Sequence, residues 1–197
     1  MQQLARSIVP ESFAPHFERG ETPLPMQFPE VTAVVLRFEG VDAMASRLPG
    51  ETASFLTPAL EALQQCSLDN GITLTRITDR SFTAIAGGPI WNEHHAEAAA
   101  DLALKLRAAF EKRAPDGPGS LQVRIGMHTG LLTAGMAGNK RLVFGLWGDA
   151  VTTADAIAAC APLGQVRVSN ATATRLNDHF MLDEALIVEL PSRERLP

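Results

Sequence analysis

Hydrophobic and polar residues alternate strictly near the middle of the chain, over residues 121–128. Leucine, valine, isoleucine and methionine at the odd positions are separated by glutamine, arginine, glycine and histidine at the even ones. A period of two is typical of a β-strand with one buried face. The pattern predicts a strand that leads into Gly130. Two further extended runs, 131–137 and 142–147, joined by a turn at 138–140, predict a hairpin arm.

Other apolar patterns supply the elements before this strand. Residues 31–38 are nearly continuously apolar and β-branched, which predicts a strand covered on both faces. Residues 51–63 and 93–112 repeat apolar positions at helical spacing and predict two amphipathic helices. Runs at 72–77 and 82–86, around a turn, predict a second hairpin.

The remaining elements follow the arm. Asp149 is a predicted N-cap for a helix over residues 150–160, which is rich in small side chains. A strand at 166–168, a short helix at 171–176 and two short strands within 180–190 complete the prediction. The order of elements is βαββαβ, which predicts an α+β fold with a ferredoxin-like core, two helices on one face of its sheet, and an extra hairpin arm.

Composition narrows the class of protein only a little. The chain has 197 residues, 46% of them apolar, which suits one domain with a substantial core. A net charge of −5 excludes the basic footprint of a nucleic-acid-binding protein. No apolar run approaches the ~20 residues of a membrane span, and no signal peptide opens the chain. We therefore expect a cytoplasmic domain with no membrane contact by this segment, in which Cys66 and Cys160 are free thiols.

One stretch carries a family resemblance. Residues 124–130 read RIGMHTG, and after the predicted arm residues 147–151 read WGDAV. This order resembles the class III adenylate/guanylate cyclase catalytic domain, whose pattern is R-I-G-[IM]-H-T-G, an arm, and [FW]-G-[DN]-x-V-N-x-A-x-R. The resemblance covers residues 31 to about 190 and implies the class III nucleotide cyclase type of the α+β fold.

The first 29 residues contain five prolines and predict a short helix followed by an extended linker. The fragment from Val9 to Gly20 is similar to the V-P-x-x-V-x-x-x-L-x-x-G connector that precedes many bacterial cyclase domains. We therefore divide the chain into a connector, 1–29, and a cyclase homology domain, 30–197. The resemblance implies an upstream sensor or membrane region, or descent from a protein that had one.

The resemblance also implies where metal ions bind. In the family, two carboxylates hold two divalent cations that activate the 3′-hydroxyl and neutralise the phosphates. Matching F-x-D-I-x-G-F to residues 35–41 places Arg37 at the first carboxylate, where its positive charge would repel Mg²⁺. Asp79 keeps the second carboxylate, as a vestigial metal ligand or a simple turn residue. We expect an Arg37–Asp79 salt bridge and no cofactor, with Mg²⁺ or Mn²⁺ relevant only if residual nucleotide binding exists.

The turn after the first strand holds the candidate nucleotide-binding residues. In the family, this turn presents backbone amides to the triphosphate, and added negative charge there opposes a phosphate. Replacement of the lost metal ligand by Glu39 is disfavoured, because its carboxylate would have to reach back across the turn. The candidates are Arg37, Phe38, Glu39, Gly40 and Val41.

The family's recognition residues lie on the partner subunit. A lysine and an aspartate select adenine, an asparagine orients the ribose, and an arginine stabilises charge on the α-phosphate. The matching positions hold Thr75, Gly145, Thr152 and Ala156. Losing such a group costs about 100 to 1,000-fold in rate. With one metal ligand of two and no recognition residue, no dimer containing this chain has a complete site, and we predict negligible turnover.

Three histidines receive structural interpretations. His94 and His95 precede Glu97, but adjacent histidines at a helix start point in different directions, so we interpret them as surface residues. His128, in the HTG motif, is predicted to form a structural hydrogen bond within a turn. Trp91 and Trp147 are predicted to be packing or interface residues.

The arm suggests how the domain works. The family forms head-to-tail dimers across which the arm packs, and residues 129–143 keep its length and apolar character. We expect Leu131, Leu132, Met136 and Val143 to be exposed in a monomer and covered in a dimer.

The leading hypothesis is a catalytically inactive cyclase homology domain. It acts as a dimerisation, regulatory or ligand-sensing module in intracellular signalling, as a homodimer or with another cyclase homology domain. The alternative is an active adenylate or guanylate cyclase that uses an altered site. A non-catalytic sensor, in which Arg37 contacts the phosphates of a nucleotide ligand, lies between the two.

Overall fold

The computed structural model describes residues 25–42, 46, 57, 61, 71–78, 80–88, 91–111, 122–138, 143–176 and 180–183. The predicted connector up to residue 24, most of the predicted helix over 51–63 and the predicted strands after residue 183 lie outside these ranges. In chain order the elements are β1 (Met26–Glu39), β2 (Ile72–Ile77), β3 (Ser81–Ala86), α1 (His95–Glu111), β4 (Gln122–Ala137), β5 (Val143–Trp147), α2 (Asp149–Cys160), β6 (Val166–Val168) and α3 (Asn170–Ala173).

The six strands form one sheet in the order β2-β3-β1-β4-β5, and β6 pairs with β4. Neighbouring strands are antiparallel, except that β6 runs parallel to β4. This architecture confirms the predicted α+β class. Strand β5 pairs with residues 133–137 of β4, and β6 pairs with residues 125–127. Between them, over residues 128–132, no strand that the structure describes pairs with this edge of β4, which we call the unpaired edge.

Strand β1 lies at the centre of the sheet and is buried on both faces, as its apolar run predicts. One face packs with α1 and the other with α2. The residues on the α1 side are Val34, Leu36 and Phe38, and those on the α2 side are Val31, Ala33 and Val35.

Strand β1 begins inside the predicted connector, at Met26, where it pairs with Ala134 of β4. Pro29 lies within the strand although it lacks a backbone N–H. The register between β1 and β4 shifts between Phe28 and Val31, and such an irregularity is where a strand accommodates proline.

The sequence predicts that a strand ends at Gly130, and this prediction is wrong. Strand β4 is continuous over 16 residues, and Gly130 pairs with Val31 in the middle of it. Gly130 has no positive φ, so it forms no turn. The strand contains Gly130 because Asp149 approaches it closely: a Cβ there would lie 2.9 Å from Asp149 Oδ2.

Helix α1 buries the face that its sequence predicts, including Ala99, Leu102, Leu106 and Phe110. Helix α2 begins one residue earlier than predicted. The N-cap of α2 is Gly148, with φ 132°, which has no side chain to cap the helix. The prediction that Asp149 is the N-cap is therefore wrong. Asp149 is instead the first helical residue, and its carboxylate binds two side chains.

Candidate functional site

Arg37 lies near the end of β1, on the face of the sheet that α2 covers. Its Nη1 donates to both carboxylate oxygens of Asp155 in α2, at 3.1 and 3.3 Å. The sequence predicts Asp79 as the partner of Arg37, and Asp79 lies outside the described residues. The Arg37–Asp79 pair therefore stays a prediction. Among the residues that the structure describes, a carboxylate of α2 binds Arg37, because α2 packs on β1.

A second arginine lies directly opposite Arg37 across the β1–β4 pair, at Arg124. Like charges at opposing positions repel, and two carboxylates relieve the repulsion. Arg124 Nε donates to Glu39 at 3.2 Å, and its Nη1 donates to the carbonyl oxygen of Ala161. Each arginine of this pair is therefore held by its own acid.

The candidate nucleotide-binding residues have different environments. The side chain of Phe38 is buried and packs edge-on against Phe110, with ring centroids 5.7 Å apart, so it presents no surface to a ligand. The Phe38 amide is also used, because it donates to the carbonyl oxygen of Arg80 at 2.9 Å. Gly40 is exposed with φ 89°, and Val41 packs partly against the core.

The remaining metal and recognition positions on the second hairpin are only partly described. Thr75 pairs with Ala84 in the β2–β3 ladder, and the side chain of Thr75 lies outside the description. Asp79 lies outside the described residues altogether. Within the described part of the chain, no three His, Cys, Asp or Glu side chains come together as a group that could hold a metal ion.

Gly145 lies on β5 beneath the side chain of Trp147. A Cβ on Gly145 would lie 2.1 Å from Cζ2 and 2.3 Å from Cη2 of that indole. These distances are far below van der Waals contact, so no larger residue fits at position 145 while Trp147 keeps this rotamer.

Thr152 and Ala156 lie four residues apart on α2, on either side of Asp155 in sequence. The hydroxyl of Thr152 donates to the carbonyl oxygen of Gly148 at 3.1 Å, within the first turn. Ala156 is partly exposed. Neither residue supplies a charged group.

The arm residues divide between the two faces of the sheet. Leu131 and Val143 are 45% and 64% exposed, and Met136 is partly buried. Leu132 is fully buried against α2, so the prediction that it is exposed is wrong. Successive strand residues point to opposite faces, and Leu132 belongs to the face that packs on α2.

An exposed apolar surface remains on the other face of the arm. Strand register aligns Trp147 with Thr133, so Trp147 and Val143 of β5 share a face with Leu131 of β4. Trp147 is 46% exposed. We call these three residues the arm face.

The histidines differ from one another. His94 is exposed, as predicted, and it pairs with Glu97 at 2.8 Å. His95 is buried, so its surface interpretation is wrong: its Nδ1 lies 2.8 Å from Thr32 Oγ1 and its Nε2 lies 3.5 Å from Glu30 Oε1. His128 makes the predicted structural hydrogen bonds, but in a strand.

Burial and charge shift the pKa values around His95. Burial lowers the pKa of His95, although the hydrogen bond that it donates to Glu30 opposes this change. Arg175 binds both oxygens of Glu30, at 2.8 and 2.9 Å. These hydrogen bonds lower the pKa of Glu30 and raise that of Arg175.

Residues 25–196 match the model of the adenylate and guanylate cyclase catalytic domain. The chain belongs to this family. An adenylate cyclase of Mycobacterium tuberculosis is 29% identical over 141 residues, which are 71% of this chain and 32% of that protein. Soluble guanylate cyclase 89Da of Drosophila melanogaster is 26% identical over 179 residues, 88% of this chain and 26% of that protein. The chain spans about a third or less of the length of these relatives.

Solved cyclase structures share the fold of this cyclase-family chain. The guanylate cyclase domain of RhGC from Catenaria anguillulae, in complex with GTP, has a TM-score of 0.69 at 19% identity and covers 79% of this chain and 86% of that one. The adenylyl cyclase CyaB from P. aeruginosa has a TM-score of 0.64 at 18% identity, covering 78% and 82%. Among the residues that the structure describes, no helix has the length and apolar character of a membrane span.

Sequence reasoning missed two features of this cyclase-family domain. One is Asp155, which is the only charged residue in the otherwise small and uncharged segment 150–160. That isolation is a usable signal, since a lone carboxylate in a helix that packs on a sheet needs a partner. The other is the contact between Trp147 and Gly145, for which the sequence gives no signal.

Proposed function

We propose that this chain is a catalytically inactive cyclase homology domain that acts as a dimerisation, regulatory or ligand-sensing module in intracellular signalling. The observation that carries the proposal is the ion pair of Arg37 with Asp155. At the position matched to the family's first metal carboxylate, a guanidinium is present and already bound by an acid. Such a pair does not fit a two-metal site, because the guanidinium replaces one of the two metal-binding carboxylates and repels a divalent cation.

The recognition positions support the same conclusion. Thr152 and Ala156 supply neither the amide nor the guanidinium of the family pattern. At the matched aspartate, Gly145 is covered by the indole of Trp147, which presents an apolar ring where a carboxylate would bind a base. Gly145, which has no side chain, therefore supplies no carboxylate to accept a base-selecting hydrogen bond.

The arm face supports association. Leu131, Val143 and Trp147 expose large apolar side chains on one face of a two-stranded arm. Side chains of this kind are enriched in protein interfaces. We propose that they bind a second copy of this domain or another cyclase homology domain, head to tail.

Calorimetric titration with ATP, GTP and their cyclic products, with and without Mn²⁺, tests the proposal together with a product assay. No cyclic product above a blank is expected. A saturable heat of nucleotide binding without cyclic product indicates the ligand-sensing form. The absence of any heat of binding indicates a pure dimerisation module. Turnover well above the blank would refute the proposal in favour of an active cyclase with an altered site.

Arg37 has a defined role in the ligand-sensing form, because it would contact the phosphates directly as a cation. Arg37→Gln should then abolish saturable heat. Arg107→Gln is the matched control, because Arg107 lies on α1 and pairs with Glu111 away from this region. Equal loss of heat in both variants would assign the effect to net charge and not to the Arg37 position.

A repair series tests the matching of positions. Arg37→Asp, Thr75→Lys, Gly145→Asp, Thr152→Asn and Ala156→Arg together restore the family residues. The structure adds a requirement, because Gly145→Asp meets the ring of Trp147. Some cyclisation is expected only when the indole can turn away from position 145.

A further inference from the structure

A continuous series of polar contacts within hydrogen-bonding distance passes from one face of the sheet to the other. It runs through the unpaired edge of β4, in the gap between β5 and β6. We call this series the polar chain. In order, its members are Glu30, His95, Thr32, Thr129, Thr172, Ser169, His128 and Asp149.

The first half of the polar chain lies on the α1 side of the sheet. Thr32 Oγ1 lies 2.8 Å from His95 Nδ1 and 2.8 Å from Thr129 Oγ1. Thr32 and Thr129 are directly paired across β1 and β4, and both are buried. Beyond His95, Glu30 lies at 3.5 Å from Nε2 and binds Arg175 at the surface.

The second half turns around the edge of β4 to the α2 side. Thr172 Oγ1 lies 3.1 Å from Thr129 Oγ1 and 3.2 Å from Ser169 Oγ. Ser169 Oγ is 2.8 Å from His128 Nδ1, and His128 Nε2 is 2.8 Å from Asp149 Oδ2. The sheet is thus crossed without a break, and the series ends at the first residue of α2.

The carboxylates at the two ends determine which atoms donate. Each carboxylate accepts from the Nε2–H of its histidine, so Nδ1 of each neutral imidazole is an acceptor. Thr32 then donates to His95, Thr129 to Thr32, Thr172 to Thr129, and Ser169 to His128. Every hydroxyl proton is used once, so the contact between Thr172 Oγ1 and Ser169 Oγ holds no proton in this state. Ser169 Oγ accepts instead from the amide N–H of Thr172 at 3.2 Å.

A proton bound from solvent at Nδ1 of His95 converts that nitrogen into a donor. Thr32 must then donate to Thr129, Thr129 to Thr172, and Thr172 to Ser169. All three contacts already exist, so three hydroxyls rotate, no hydrogen bond is lost, and one is gained between Thr172 and Ser169. Ser169, which now accepts from Thr172, becomes a stronger donor to His128 Nδ1.

We propose that the polar chain is a proton-responsive relay, which transmits protonation of His95 on one face of the sheet to Ser169 and His128 on the other. Because His128 binds Asp149, the relay ends at the start of α2. That helix carries Thr152, Asp155 and Ala156.

Among the described residues, few charged groups face the two histidines. Glu30 and Arg175 face His95 from β1 and from the segment after α3, and Asp149 faces His128 from α2. On α1 and just before it, Glu97 and His94 bind each other. Burial lowers the pKa of His95, so its protonation is expected below pH 6.5.

The test is an NMR titration of the imidazole nitrogens in the full chain, with the exposed His94 as an internal reference. In the unaltered protein, the ring signals of His128 should show an inflection at the titration midpoint of His95. Thr129→Val removes the acceptor that the reversed Thr32 hydroxyl needs. The His128 inflection should then disappear, and the His95 midpoint should fall by about one pH unit.

Three further variants distinguish a relay from threonines that only fill space. Thr172→Val cuts the polar chain at a second point and should behave as Thr129→Val does, while Thr129→Ser should behave as the unaltered protein. If Thr129 only fills space, Ser would disturb His95 more than the isosteric Val. Thr83→Val, at a buried threonine outside the polar chain, should change neither signal.

Two results would overturn the relay. One is the absence of a His128 inflection at the His95 midpoint in the unaltered protein. The other is an inflection that persists in both valine variants, because direct electrostatic coupling through space does not require the hydroxyls.

Discussion

Gly145 and Trp147 behave as one unit at the level of single residues. The two positions share a face of β5, and the absence of a side chain at 145 provides the space that the indole occupies. Gly145 is the predicted match of the family's aspartate, and any side chain placed there meets the ring of Trp147. We therefore expect that a carboxylate at position 145 requires a change of the Trp147 rotamer.

The first prediction concerns this pair. Gly145→Ala should destabilise the protein by about 1–3 kcal/mol, the usual cost of overpacking, because its methyl group would overlap the ring of Trp147. In a Trp147→Ala background the same change should cost much less. Urea unfolding of the four proteins in this double-mutant cycle measures the difference. An equal cost in both backgrounds would show that the ring does not occupy this space.

Among the elements, helix α2 packs unusually close to strand β4. A Cβ on Gly126 would lie 2.3 Å from both the carbonyl oxygen of Ala154 and the amide nitrogen of Ala158. The buried side chains of α2 are correspondingly small: Ala150, Val151, Ala154 and Ala158. Small residues on the helix and a glycine on the strand let the two backbones come into contact, and this contact brings Asp155 to Arg37.

The second prediction tests this packing. Gly126→Ala places a methyl group against backbone atoms that cannot rotate away, so we expect a loss of about 3 kcal/mol or more in unfolding free energy. Gly164→Ala is the control, because its Cβ would meet nothing within 4 Å and carries only the strain of φ +71°. That strain costs about 1–2 kcal/mol. Similar unfolding midpoints in urea for the two variants would contradict the close approach.

For the whole molecule, pH acts on stability through the buried end of the polar chain. The pKa of His95 is lowered by burial, so the unfolded chain binds more protons than the folded one as the pH falls below the ordinary value of 6.5. The pKa of Glu30 is lowered by its hydrogen bond with Arg175, which extends the same trend below 4.5. Both shifts therefore stabilise the protein at neutral pH and not in acid.

The third prediction follows from these signs. The urea midpoint should fall progressively as the pH is lowered from 7 to 4. In Glu30→Gln, His95 loses the group that raises its pKa. The fall in the urea midpoint between pH 6.5 and pH 5 should therefore be larger than in the unaltered protein, and the fall below pH 4.5 should be smaller. Glu39→Gln, which removes a carboxylate bound to Arg124, serves as control. A midpoint independent of pH over this range would contradict the assignment.

The fourth prediction concerns association of whole domains through the arm face. Val143→Glu places a charge in the centre of the proposed interface, where it would be buried without a partner. Light scattering should show a concentration-dependent dimer for the unaltered chain and a monomer for the variant. Leu104→Glu, at an exposed leucine of α1, should leave the dimer intact. A strictly monomeric unaltered chain at high concentration would refute the interface.

Local patterns in the sequence were enough for the fold and for a prediction of which of the family's chemical groups are replaced. Alternation and helical spacing gave β2, β3 and α1 within two residues, and the HTG and WGD motifs indicated the cyclase family, because periodicity and short motifs depend only on neighbouring residues. The WGD motif led to Gly145, Thr152 and Ala156, and the F-x-D-I-x-G-F pattern led to Arg37. That these residues replace the family's catalytic groups stays a prediction.

The tertiary structure alone decided which residues contact each other. The Arg37–Asp155 pair joins residues 118 positions apart, and Thr32 and Thr129 are 97 apart. The same packing continues β4 through Gly130 and buries Leu132 and His95. Each of these contacts and buried positions depends on how closely two secondary-structure elements approach each other. The distance between the two elements is set by the side-chain volumes on both of them at once. A linear pattern does not contain this information, so the contacts that define the site emerge only when α2 packs on the sheet.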